Sequence, residues 1–193
     1  MQTSQASKRT LYQGKYRVET TRLSGWDYRT PAWYFVTICA RNHACLLGAS
    51  AEGRIQLSPA GEIANAELRT LATHYSYITI DSFTVMPNHV HFILVSGGHH
   101  RYSPNLEIHL EPAVVRGPGL APPLAGSLSA IVRSYKAGVT RRCHETASRN
   151  FAWQPGFREH ILSGNTSVDA VRDYIANNPA NWLKDLENPR NRL

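Results

Sequence analysis

The chain is short of acidic residues, of cysteine and of long apolar runs, and each shortage bears on the kind of protein it encodes. Only 14 Asp and Glu stand against 21 Lys and Arg, a formal net charge of +7 over 193 residues. That balance favours a polyanionic partner over a cationic one. The cysteines, Cys39, Cys45 and Cys143, are odd in number and contain no Cys-x-x-Cys pair. This argues against a disulfide framework or a structural zinc and suits reduced thiols in a cytoplasm. No apolar run approaches the roughly 20 residues needed to span a bilayer. The opening Met1-Gln-Thr-Ser-Gln-Ala-Ser-Lys has no apolar signal core, so a soluble, cytoplasmic protein without a membrane partner is expected.

What is present divides into a basic arm over residues 1–25 and one domain over 26–193, with a Pro/Gly-rich loop at 96–126. Residues 1–29 carry Lys8, Arg9, Lys15, Arg17, Arg22 and Arg29 against Glu19 and Asp27. Such a segment is orderable by an anion or is simply a solvated tail. Trp33–Cys39 is aromatic and β-branched throughout and predicts a strand, as do Arg54–Leu57 and Ile78–Met86. Ser58-Pro59 opens a helix whose Ala64, Leu68, Leu71 and Tyr75 form one inward stripe. The 96–126 loop includes His99-His100, a pair with little claim to a metal in so Gly-rich a setting.

From Ser127 an amphipathic helix is expected, with Leu128, Ile131, Val132, Tyr135 and Val139 inward. Its other side presents Arg133, Lys136, Arg141 and Arg142, candidates for phosphate contact, and a solvated basic surface is the plain alternative. Thr166-Ser-Val-Asp169 then fits a helix start, and Pro179 ends that helix at or just before Asn178. Tyr174 and Asn178, at i and i+4, share one face of it.

The stretch Met86-Pro-Asn-His-Val-His-Phe-Ile-Leu-Val95 carries the chemistry. Its apolar, β-branched character makes it a strand, so His89 and His91 project from one side while Val90, Phe92 and Leu94 enter a core. Two imidazoles about 7 Å apart on one strand face are half of a divalent-metal site. Two histidines bonded to whatever lies near them is the bland reading.

Met86-Pro-Asn-His-Val-His-Phe92 resembles the His-hydrophobic-His motif of single-tyrosine HUH transposases, and more narrowly the REP-associated tyrosine transposases related to IS200-like insertion-sequence enzymes. Trp153-Gln-x-x-Phe157-x-Glu159-His160 and Asp173-Tyr-Ile-Ala-Asn-Asn-Pro179 resemble two further segments of that family. The resemblance implies an α+β, ferredoxin-like sandwich with a central antiparallel sheet and helices packed mainly on one face. It implies Tyr174 as a nucleophile that becomes joined to a 5′ phosphate. It further implies His89, His91 and Asn178 around a Mg²⁺ or Mn²⁺ ion, with Glu159 and His160 as supporting or DNA-contact residues. The expected partner is single-stranded or hairpin DNA from palindromic repeats, bound by a monomer or a homodimer. A non-catalytic hairpin-binding regulator is the second reading. A His-x-His hydrolase is the third, which needs further carboxylates near the His strand, and Asp81 is the only one close in sequence.

Overall fold

A computed structural model describes residues 26–97, 125–146, 148–162 and 168–191. The basic arm, His99-His100 with nearly all of the 96–126 loop, and Thr166-Ser167 lie outside the described residues.

The strands Trp33–Cys39 (β1), Ile78–Val85 (β4), His89–Ser96 (β5) and Arg158–Ile161 (β6) form one antiparallel sheet in the order β4-β5-β1-β6. Helices Pro59–Leu71 (α1) and Leu128–Glu145 (α2) link these strands, and the order β-α-β-β-α-β with this sheet topology is the ferredoxin-like arrangement. Between β1 and α1 a hairpin, Gly48–Ala51 (β2) with Arg54–Leu57 (β3), stands apart as its own two-stranded sheet. Gly48-Ala-Ser-Ala51 has no β-branched residue to announce it. It is a strand because Glu52 and Gly53, at φ 52° and 72°, make the two-residue turn that folds it onto β3.

The alternation of each central strand sorts its side chains to two cores. Tyr34, Val36 and Ile38 of β1 join Val90, Phe92 and Leu94 of β5 beneath α1 and α2. Ile93 and Val95 point the other way, with Phe35 beside them, and meet Val168 and Ile175 of a third helix, Val168–Asn177 (α3). The two long helices therefore share one face, and only short α3 crosses the other, where the histidines are. All the stripe residues predicted for α2 are buried. In α1, Ala64, Leu68 and Leu71 are buried, whereas Tyr75 lies beyond the helix, past a 3-10 turn. Ser58 caps α1 by accepting from Gly61 N at 3.2 Å, and its hydroxyl donates to Leu46 O at 2.7 Å.

The turn between β4 and β5 is held from outside. Its Pro87 and Asn88 carbonyls accept from Leu47 N (2.9 Å) and Ala40 N (2.7 Å), so the start of the His strand is fixed by the chain leaving β1. Asp81 is passed over by a register shift between Ile80 and Ser82, and Arg172 of α3 pairs with it at 2.6 Å. That pairing ties α3 to the edge strand. It also removes Asp81, the one acid close to the His strand in sequence, as a carboxylate for the histidines.

Gly61 shows how closely hairpin and helix approach. A Cβ there would lie 1.9 Å from the Leu47 carbonyl oxygen, a main-chain atom that cannot swing aside. In most helices Gly→Ala stabilises by about 1 kcal/mol. Gly61→Ala should instead destabilise by about 1–3 kcal/mol, whereas Gly138→Ala, opposed by the mobile carboxylate of Glu67, should stay within about 1 kcal/mol of the parent protein. Chemical denaturation of both variants checks the sign, and a stabilised Gly61→Ala protein would contradict this packing.

Candidate metal and nucleophile site

His89 and His91 are both buried, and their rings lie 4.3 Å apart. Their outer nitrogens, Nδ1, are occupied. Asn88 Nδ2 donates to the main-chain oxygens of His43 (3.0 Å) and Glu187 (2.7 Å). That leaves Asn88 Oδ1 to face His89 Nδ1 at 2.8 Å, so Nδ1 carries the hydrogen and Nε2 a lone pair. His91 Nδ1 meets Thr37 Oγ1 at 2.9 Å. Burial works against a charge on either ring. Burial, then the charges of Arg158 and His43, push His89 down to about 3. Burial, then His89, holds His91 well below its usual value.

Opposite them stands Asp185, from the segment that follows α3. Its Oδ2 is 3.8 Å from His89 Nε2 and accepts from Asn178 Nδ2 at 2.7 Å. His89, His91 and Asp185 offer ligand atoms within 4.8 Å of one another, all buried, and could hold a metal ion. Among the described residues, His89 Nε2 and Asn178 Oδ1 are buried without a hydrogen-bond partner. A neutral imidazole lone pair facing a carboxylate oxygen in a dry site is an arrangement that a cation relieves. The donor set suits a divalent ion held by nitrogen and oxygen.

Tyr174 extends from α3 toward this group, its Oη 3.4 Å from His91 Nε2 and its ring edge-on to Phe35. At 46% exposure it is reachable from solvent, unlike the histidines. Burial of its inner part, then Asp185, raises its pKa, while the Asn178 amide and Arg158 draw it back. Arg158 lies on the same face through its register with Thr37. Together with Phe35, His91, Tyr174 and Asp185 it lines a cavity of about 230 Å³.

The structure thus gathers His89, His91, Tyr174 and Asn178, which the sequence proposed, and adds Asp185 and Arg158, which it missed. Asn178 turns its amide nitrogen to Asp185, so among His, Cys, Asp and Glu side chains Asp185 is the residue grouped with the histidines. His160 pairs with Phe35 and faces the cavity. Glu159 pairs with Val36, whose side chain lies in the core under α1 and α2, and it borders the same cavity as His160. Tyr135 of α2 is buried in that core too and donates to Ala64 O at 3.1 Å. No local signal marks Asp185, whereas the alternation Arg158, His160 could have been read from a strand at β6.

The basic residues are on α2, across the sheet from Tyr174. Arg133 and Arg141 are exposed beside a groove of about 790 Å³ that also takes in Arg41, Trp153 and Phe157. Lys136 is committed to the fold, donating to Gln154 O (2.7 Å) and Gly156 O (2.8 Å). Arg142 is paired with Glu67 of α1 at 2.8 Å.

A protein of Haemophilus influenzae that carries no functional name is 30% identical over 172 residues, covering 89% of this chain and 93% of its own. The two chains belong to one family. No established family profile matches the sequence. Among solved structures, a REP-associated tyrosine transposase bound to a REP hairpin aligns with a TM-score of 0.54 and 19% identity, over 86% of this chain and 74% of that one. The chain has the fold of that transposase, in agreement with the resemblance of its motifs. A looser match, TM-score 0.44 at 14% identity over 82% of this chain and 97% of the other, is a candidate transposase of Deinococcus radiodurans. Among the described residues no helix is long and apolar enough to cross a membrane.

The geometry ranks the ligands. Asp185→Ala should weaken Mn²⁺ binding by at least about tenfold, and Asn178→Ala, which loosens Asp185 without removing a carboxylate, should weaken it less. Titration calorimetry on the purified variants reads both. Equal affinities for the parent and Asp185→Ala proteins would remove Asp185 from the site.

Proposed function

We propose that this protein is a divalent-metal-dependent, single-tyrosine DNA strand transferase acting on single-stranded DNA beside repeat hairpins. The observation that carries the reading is the placement of a half-exposed phenol, Tyr174 Oη, 3.4 Å from Nε2 of a buried, neutral histidine in a trio able to hold a cation. A structural tyrosine has no need of that neighbour, and a pure binding module has no need of the trio. The hairpin-bound relative supports hairpin DNA as the partner.

In this reading Tyr174 Oη attacks a backbone phosphorus. The phenol loses its proton as the new P–O bond forms, and the 3′ oxygen departs and takes a proton. The phosphotyrosine left on the 5′ end keeps about the energy of the original ester, so rejoining requires no nucleotide cofactor. A divalent ion bound there would supply positive charge against the charge building on the phosphate. His89, His91 and Asp185 would hold it, with Asn178 steadying the carboxylate. Asn88 and Thr37 keep the imidazoles oriented, and Arg158 adds a fixed cation at the cavity where the phosphate would lie. Exposed Arg133 and Arg141 would hold duplex phosphates on the other face, and Lys136 supports the wall of that groove.

Tyr174→Phe should abolish denaturant-resistant adducts between the protein and a hairpin oligonucleotide with a single-stranded flank, yet leave binding of that oligonucleotide within a few-fold. Binding without adducts in the parent protein at saturating Mn²⁺ would favour the regulator instead. On the basic face, Arg133→Ala and Arg141→Ala should each flatten the salt dependence of binding by roughly one unit. Unchanged slopes in both would mean a solvated surface.

A further inference from the structure

Next to the histidine pair the end of β1 builds a second cluster of donors. Cys39 Sγ lies 3.4 Å from Glu187 Oε2, and His43 Nδ1 lies 3.2 Å from the same oxygen. One ligand atom from each of the three residues falls within 4.8 Å of the others. The approach depends on an unusual backbone. After Cys39 the chain makes a 3-10 turn, Arg41–His43, in which Asn42 and His43 sit at φ 55° and 52°. Non-glycine residues take this left-handed conformation rarely, and it persists where the surroundings enforce it. Here Asn88 Nδ2 holds the His43 carbonyl and Ala152 O accepts from Arg41 N at 2.8 Å. Arg158 pairs with Glu187 Oε1, which turns Oε2 toward the cysteine and the histidine.

We infer that Cys39, His43 and Glu187 form a second cation site, of zinc type, alongside His89, His91 and Asp185. A thiolate, an imidazole and a carboxylate are zinc ligands, and three protein donors leave a fourth position for water. The soft sulfur disfavours Mg²⁺. Binding converts the Cys39 thiol to a metal thiolate and releases its proton to solvent. The consequence reaches the first site through covalent and hydrogen-bonded links. Glu187 N donates to Asp185 Oδ1 at 2.6 Å, and Asn88 bonds to both Glu187 O and His89. A cation on Glu187 would therefore pin the segment that presents Asp185. This inference does not depend on the proposed strand transfer.

Cobalt distinguishes the two sites, since only the second contains sulfur. Titration of the full chain with Co²⁺ should raise a near-ultraviolet thiolate-to-cobalt band that saturates and is bleached by added Zn²⁺. The band should persist in Cys45→Ser, which removes the exposed thiol, and vanish in Cys39→Ser. His43→Ala keeps every cysteine and should weaken Co²⁺ binding at least about tenfold when read at the thiolate band, a signal that His89, His91 and Asp185 cannot give. No band in the parent protein, a band that survives Cys39→Ser, or an unchanged Co²⁺ dependence of the band in His43→Ala would each overturn the site.

Discussion

An amide side chain can satisfy its surroundings in only one sense at Asn88. Its nitrogen is committed to two main-chain carbonyls, so its oxygen must face His89 Nδ1. That single orientation fixes the imidazole tautomer, leaves Nε2 as a lone pair aimed inward, and clamps the C-terminal segment against the tip of β5. The neutral state then follows from burial. Thr37 meets His91 Nδ1 and Asn178 donates to Asp185 in the same way, so each donor of the trio is held by a polar neighbour.

The site combines two environments that one element alone would not supply. The central strands give dryness, and their alternation keeps the histidines on the face away from α1 and α2. α3 and the chain after it give the reachable parts, Tyr174 and Asp185. Residues 182–191 are held by buried Trp182, by main-chain bonds and by asparagine side chains bonded to main-chain oxygens, Asn188 to Trp182 O and Asn191 to Leu183 O and Asp185 O. Leu183 and Leu186 stay largely exposed.

Sequence made the rigid half legible. The β-branched runs gave β1, β4 and β5, Ser58-Pro59 gave the start of α1, and the apolar spacing gave the start and the inward face of α2. Each depends on local periodicity or capping, which a sequence displays directly. Tyr174 and the His pair came from motif resemblance and meet in space. Asp185 stayed hidden because it joins His89 across almost a hundred residues and through two polar clamps, neither of which leaves a periodic trace. Arg142 and Lys136 looked like free cations because their partners, Glu67 and two main-chain carbonyls, also come from distant segments.

If residues 182–191 close a metal site opened by the His strand, anomalous diffraction from a crystal of this protein grown with Mn²⁺ should show one peak bounded by His89 Nε2, His91 Nε2 and an Asp185 oxygen, on the side where Tyr174 Oη lies. A peak at the histidines with Asp185 turned away, or no peak there at saturating Mn²⁺, would contradict it.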